Sequence, residues 1–260
     1  MMVEMDILST LSMYALLLIP IGIFIWLKMG LVKETILSSI RMTVQLFLVG
    51  LYLKYVFQLN NGLVNLAWVI VMMMAANLAI LGKSGLKWRL FFWRTLVGIF
   101  VSTFIVSAWF ILVAIRPEPF YDARYMVPII GMILGNCQRS NVLSLERFYS
   151  GIRNNEQEFM TYLMLGATLN EAIRPYLRTA LKSCVNPAIA SMATMGIVSL
   201  PGMMTGQILG GAMPMAAIKY QIGIMLGIFV AMVIAAVLNI LLSLRVAFDD
   251  FQRLKPEIFQ

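Results

Sequence analysis

The chain has 260 residues, 61% hydrophobic and 12% charged, with a mean hydropathy of +0.87; a soluble domain carries about 25% charged residues, so a soluble class is excluded and a polytopic membrane protein is indicated. The net charge is +8, but the Lys and Arg residues lie mostly between apolar segments, which ties the basic balance to membrane topology and not to nucleic acid. Histidine is absent and the cysteines are Cys137 and Cys184 alone, which removes the usual general base, any Ser-His or Cys-His pair, a disulfide framework and a clustered metal motif.

A helix crossing the hydrocarbon core needs about 20 apolar residues. The acidic start, Met1 to Asp6, is unlike the basic opening of a secretory signal, and no small-residue cleavage site follows, so the first span is expected to be retained. It runs from Ile7 to Leu27, with Pro20 and Gly22 as a bend. A basic link with Lys28 and Lys33 leads to a second span from Ile36 to Phe57. The third runs from Leu63 to Leu81 and the fourth from Thr95 to Ile115, separated by a basic loop with Lys83, Lys87, Arg89 and Arg94. After RPEPFYDAR a fifth segment starts at Met126, followed by a long polar region to Lys182. A sixth segment runs from Val185 to Gly211 and a seventh from Gln221 to Leu244. The reading is an all-α polytopic integral membrane protein of about seven transmembrane helices, one of them broken, with a coupling region at about residues 150–182 and nothing that divides residues 1–260 into separate domains.

Placing the N-terminus outside leaves only Lys54, Arg116, Arg124 and Lys219, of 20 basic residues, on the outer side. This asymmetry predicts seven spans with the C-terminus in the cytoplasm. The fifth span is the short one: Met126 to Cys137 gives about 18 Å of apolar helix against a core of about 30 Å. Gln138, Arg139, Ser140 and Asn141 follow. Either Arg139 snorkels to the cytoplasmic surface, or the span ends early or lines a polar cavity with Asn136 and Gln138 facing inward.

The stretch GIVSLPGMMTGQILGGAMP, from Gly196 to Pro214, is uncharged and dense in helix breakers. Gly202, Gly206 and Gly210 recur at helical spacing and form a stripe where another backbone can approach. Pro201 removes an amide donor just before it and predicts a break between two helices. Broken helices at membrane depth line cavities in transporters, so Ser199, Pro201, Met203, Met204 and Gln207, with Asn136, are candidates for a translocation path or gate, and the glycines for packing.

Between Arg153 and Lys182 the chain is too polar to span. The segment EFMTYLMLGATLNEA, from Glu158 to Ala172, reads as two short helices meeting at Gly166, with Thr168 and Asn170 as caps. It is either an element that docks in a groove of a soluble partner or an interfacial helix resting on lipid.

Within that segment LGAT, Leu165 to Thr168, resembles the cytoplasmic coupling loop of ABC-transporter permeases, although the usual glutamate-alanine-alanine spacing is not kept, Glu158 being followed by Phe159 and Met160. RMTVQLFLVGLYLKYVF (Arg41 to Phe57), VPIIGMILGN (Val127 to Asn136) and GIVSLPGMMTGQILGGAMPMAAIKYQI (Gly196 to Ile222) extend the likeness. Together they resemble the Fet-type permeases, a family of bacterial iron-export ABC permease subunits that also includes plant proteins linked to aluminium tolerance. The resemblance covers Ile36 to Leu244, with QRSN (Gln138 to Asn141) more polar than is usual there. It implies a permease subunit in the plasma (inner) membrane that exports iron or another metal. It also implies a separate cytoplasmic ATPase that binds ATP and Mg, pairing as two permeases with two ATPases, and ATPase coupling through Glu158, Leu165, Gly166, Ala167 and Thr168.

The residues supply independent checks. A phosphate-binding loop needs G-x-x-x-x-G-K-[ST]; the nearest stretch, NLAILGKS from Asn77 to Ser84, lacks the first glycine and ends an apolar span. This chain is therefore expected to bind no cofactor and to be no enzyme. Arg41 and Gln45 share one face of the second span as an intramembrane polar pair, either meeting an anionic group or anchoring packing. From Leu63 to Ile115 and from Val185 to Leu244 there is no Asp or Glu, so those spans offer no carboxylate cage for a hard cation and no obvious proton relay. Met203 and Met204 are candidate contacts for a soft ion, against the plain reading of methionine as a gap filler among 21 such residues. An ATP-independent channel or secondary carrier, or ABC export of an organic solute, are the alternatives.

Overall fold

The computed structural model describes residues 12–259, so the acidic N-terminal segment and the start of the first span, residues 7–11, lie outside the described residues. Among the described residues there is no β-strand, only isolated bridges. The chain divides into two units, Met1–Leu59 and Asn60–Gln260.

In the first unit a 3-10 turn, Tyr14–Leu17, runs into helix α1 (Leu18–Trp26), and a turn with Gly30 at φ 71° leads to α2 (Val32–Leu59). The change of helical type falls just before Pro20, where the sequence places a bend. The Tyr14 and Thr43 hydroxyls are hydrogen-bonded to each other within this unit.

The second unit contains α3 (Gly62–Lys83), α4 (Trp88–Trp109, prolonged by a π-helical turn Phe110–Ile115), α5 (Ala123–Asn154), α6 (Glu156–Met164), α7 (Leu169–Ala172), α8 (Arg174–Thr194), α9 (Gly202–Leu209) and α10 (Pro214–Ala247). Asn61 caps α3 by accepting from the Leu63 amide, and Asp122 caps α5 by accepting from the Arg124 amide. Over the described residues, four helices are long and apolar enough to cross a membrane: α2, α3, α4 with its π turn, and α10. Their outward surfaces are apolar, as at Phe104 and Trp109, exposed by 60% and 68%. The interior meanwhile buries Asn65, Asn77, Asn141, Asn239 and several Ser and Thr. That inversion of the soluble pattern suits lipid as the solvent.

Several boundaries differ from the hydropathy reading: α4 begins at Trp88 and not at Thr95, α10 at Pro214 and not at Gln221, and two further differences are larger. The fifth segment does not stop at Cys137: α5 has 32 residues, about 48 Å of helix. The polar QRSN stretch continues the helix because Ser140 and Asn141 turn into the bundle while Arg139 is exposed. The helix leading to the break begins at Arg174 instead of Val185, because Arg178 and Lys182 occupy its outer positions and the helix continues through Pro187.

The contacts also sort the helix ends. Lys87 donates its amide to the Ile258 carbonyl at 2.8 Å, and Arg153 lies over the Phe259 ring at 4.7 Å. The α3–α4 loop, the end of α5 and the chain's C-terminal strap are thus together. At the opposite end the Asn65 side chain donates to the Tyr121 carbonyl at 2.7 Å, and Asn60 accepts from the Ala123 amide. In this unit, then, the basic α3–α4 loop and the end of α5 share one end with the C-terminal strap.

Candidate translocation and coupling sites

Helix α8 ends at Thr194, and residues 195–201 leave the helical path, with the Gly196 amide donating to the Ser199 carbonyl at 2.9 Å. Pro201 is the N-cap of α9, and its carbonyl accepts from both the amide and the hydroxyl of Thr205. The break is where Pro201 predicts it. Helix α9 then closes with a left-handed glycine: Gly211 has φ 94°, its amide bonds the Ile208 carbonyl, and the Ala212 amide bonds Gln207. This is the double C-terminal bond that a residue with a Cβ would strain.

The candidate path residues are placed unevenly. Met204 is buried, Met203 packs against the cluster of Val106, Ile133, Cys137 and Ile228, and Gln207 and Pro201 are half-buried. Ser199 is exposed, and Asn136 donates to the Met132 carbonyl of its own helix at 2.8 Å. A Cβ built on Gly202 or Gly206 meets nothing within 4 Å, and Gly210 is exposed. The close-packed glycines lie elsewhere. A Cβ at Gly223 would come 2.9 Å from the Phe110 ring, and at Gly227 3.2 Å from Val106. At Gly98 it would run into the Asn239 side chain. The spacing of Gly223 and Gly227, a G-x-x-x-G pair in an apolar helix, is the signal that marks this α4–α10 seam.

Sequence reading also missed the buried polar contacts. The Asn239 amide donates to Asn141 Oδ1 at 2.7 Å, Asn141 in turn donates to the Cys137 carbonyl, and the Tyr149 and Ser243 hydroxyls are 2.5 Å apart. The first and last of these cross from α5 to α10 and join the two helices. Asn77 similarly ties α3 to the Phe92 carbonyl of α4.

Helices α6 and α7 form the expected pair about Gly166. Gly166 has φ 90°, its amide bonds the Leu163 carbonyl, and the Ala167 amide bonds Tyr162. The α7 start is fixed by Glu171, whose carboxylate accepts from the amide of Thr168 at 2.8 Å and from its hydroxyl at 2.7 Å. Those two bonds, with Arg174 nearby, hold the Glu171 carboxyl below its usual range. Glu158 accepts from the Tyr162 hydroxyl at 2.8 Å. The inner face is protein core: Phe159 is buried, with its ring centroid 5.7 Å from that of Phe248 and 6.2 Å from that of Tyr176. The tip is the reverse, with Met164 and Leu165 exposed by 76% and 81%. In the first unit, Arg41 and Gln45 lie a turn apart on α2, both exposed.

The helices, the inverted polarity and the broken segment define an all-α polytopic membrane protein. The chain belongs to the uncharacterised protein family UPF0014, whose pattern matches residues 7–248. It is 33% identical over 259 residues to a UPF0014 membrane protein of Synechocystis, covering 97% of this chain and 98% of that one. It is 33% identical over 199 residues to the protein ALUMINUM SENSITIVE 3 of Arabidopsis thaliana, covering 76% and 71%. Against the protein named probable iron export permease FetB of Escherichia coli it is 32% identical over 211 residues, covering 80% of each. No solved structure matches the chain.

Proposed function

We propose that this chain is the permease subunit of an ABC exporter for iron or another metal, driven by a separate cytoplasmic ATPase. The observation that carries the reading is the α6–α7 hairpin: a rigid inner face anchored by Phe159 and an apolar tip, Met164 and Leu165, offered to solvent at the basic end. An exposed apolar knob on a buried base is suited to a groove on a soluble partner. The likeness to the iron export permease supports a metal cargo.

On this reading the ATPase binds ATP and Mg, Glu158 and Leu165 to Thr168 form the docking element, and two permeases pair with two ATPases in the plasma membrane. Seven spans are inferred, with the N-terminus outside and the C-terminus inside. The break at Pro201, with Ser199, Met203, Met204, Gln207 and Asn136, lines or gates the route, while the Gly202, Gly206 and Gly210 stripe, open in the single chain, packs against a neighbouring copy. Arg41 and Gln45 are assigned to membrane anchoring. Met203 and Met204 are candidate contacts for the metal in transit.

Reconstitution tests the proposal. With its ATPase, the chain should support ATP-dependent iron transport, and Leu165→Asp should uncouple hydrolysis from transport. Substrate flux through the chain alone without ATP would favour a channel or carrier instead.

A further inference from the structure

We propose that the groove between α4 and α10 at their basic end binds an anionic phospholipid, Arg94 and Arg245 holding its phosphate. The groove has a volume of about 660 Å³ and is lined by Trp93, Arg94, Val97, Leu241, Leu242 and Arg245. The antiparallel register fixed by Gly98 against Asn239 and Gly227 against Val106 brings Arg94, a turn before Gly98, level with Arg245, past Asn239. Two guanidinium groups therefore border one groove whose other lining residues carry no charge.

Among the described residues neither arginine has an acidic partner. Among the described residues the salt bridges are Arg147 to Glu146 and Arg253 to Asp249. Asp249, a turn beyond Arg245, is also occupied by the Arg253 and Phe251 amides. Arg94 spends one donor on the Leu90 carbonyl at 2.9 Å, and a guanidinium has five.

Two cations bordering a shared groove repel each other, and a phosphate between them replaces repulsion with charge-assisted hydrogen bonds. Val97, Leu241 and Leu242 are uncharged and apolar, which suits an acyl chain and not a free anion. Trp93, exposed by 70%, supplies an aromatic ring at headgroup level. Basic pockets between membrane helices on the cytoplasmic side recognise lipid headgroups in this way. The site requires no transport partner, and none of its lining residues belongs to the α6–α7 hairpin.

The test uses the purified full chain in phosphatidylcholine nanodiscs carrying a small fraction of brominated lipid, with quenching of Trp93 read as the difference between the wild type and Trp93→Phe. Brominated phosphatidylglycerol should quench Trp93 about fivefold more than brominated phosphatidylcholine. Arg94→Gln/Arg245→Gln should bring the ratio to one with helical content retained, whereas Lys87→Gln/Arg89→Gln, at the same end but off the groove, should leave it unchanged. Millimolar inorganic phosphate should not compete. Equal quenching by the two lipids in the wild type overturns the proposal even where the double variant fails to insert. A ratio unchanged in Arg94→Gln/Arg245→Gln, one lost equally in Lys87→Gln/Arg89→Gln, or one abolished by phosphate does so as well.

Discussion

Asn239 in α10 donates to Asn141 in α5 at 2.7 Å, and the carbonyl end of the same side chain presses on Gly98 of α4. One amide therefore locks three helices at a single level. Gly98→Ala would drive a methyl into Asn239 Oδ1 and place it 2.8 Å from Asn239 Cγ and 3.3 Å from the Asn239 backbone nitrogen. The Asn239 side chain must therefore leave its position and the backbone give by a few tenths of an ångström, and a loss of about 1–3 kcal/mol is expected. Asn239→Ala alone should cost about 0.6–1.7 kcal/mol by removing the cross-helix bond. The double variant should lose less than the sum, because the smaller side chain makes room for the methyl. Unfolding of the detergent-solubilised chain measures all three.

Gly166→Ala separates backbone from contact. A Cβ there meets nothing within 4 Å, yet φ is 90°, so the whole effect comes from the left-handed backbone and should be about 1–3 kcal/mol of local strain. Hydrogen exchange should quicken in residues 162–168 and stay unchanged in α10. Gly206→Ala, helical and open, should be neutral or slightly stabilising in the isolated chain by about 0.4–1 kcal/mol.

How much of this was legible in the sequence divides along physical lines. Helix existence follows from apolar length, and the break follows from Pro201 because a missing amide is a local property. Gly166 was readable for the same reason, since a left-handed helix end favours glycine. The length of α5 was not, because a hydropathy count stops at Gln138, whereas the helix continues by turning Ser140 and Asn141 inward. Likewise the glycine spacing at Gly202 and Gly206 and that at Gly223 and Gly227 look alike, and only tertiary contact tells the open pair from the packed one. The C-terminal strap was invisible, since the residues it pairs, Leu86 with Phe259 and Lys87 with Ile258, are far apart in the chain.

The Thr168 and Glu171 cap gives a pH dependence. Its bonds to the charged carboxylate lower the Glu171 pKa, so the cap's contribution is present in full above the ordinary Glu value of about 4.3. It is lost as pH falls through the lowered value. Limited proteolysis at residues 165–170 should accelerate on acidification, and Glu171→Gln should show the faster cutting already at neutral pH.

The strap after α10 should be structural. Ile258 is fully buried, and its carbonyl holds the Lys87 amide. Ile258→Asp would put a charge in that core, so a loss of about 3 kcal/mol or more is expected. The α3–α4 loop should become cleavable at Lys83 and Lys87 by trypsin, while the distant Arg116 and Arg124 keep their wild-type cutting rate.

On the proposed function the hairpin tip transmits work from an ATPase. The most direct measurement of this is metal uptake into inside-out vesicles holding the chain with its ATPase, comparing wild type with Leu165→Asp. ATP-dependent Fe(II) accumulation is expected in the wild type and its loss in Leu165→Asp, with the variant correctly folded and hydrolysis no longer tied to transport. Equal ATP-driven accumulation in Leu165→Asp, or accumulation by the chain alone without ATP, would contradict it.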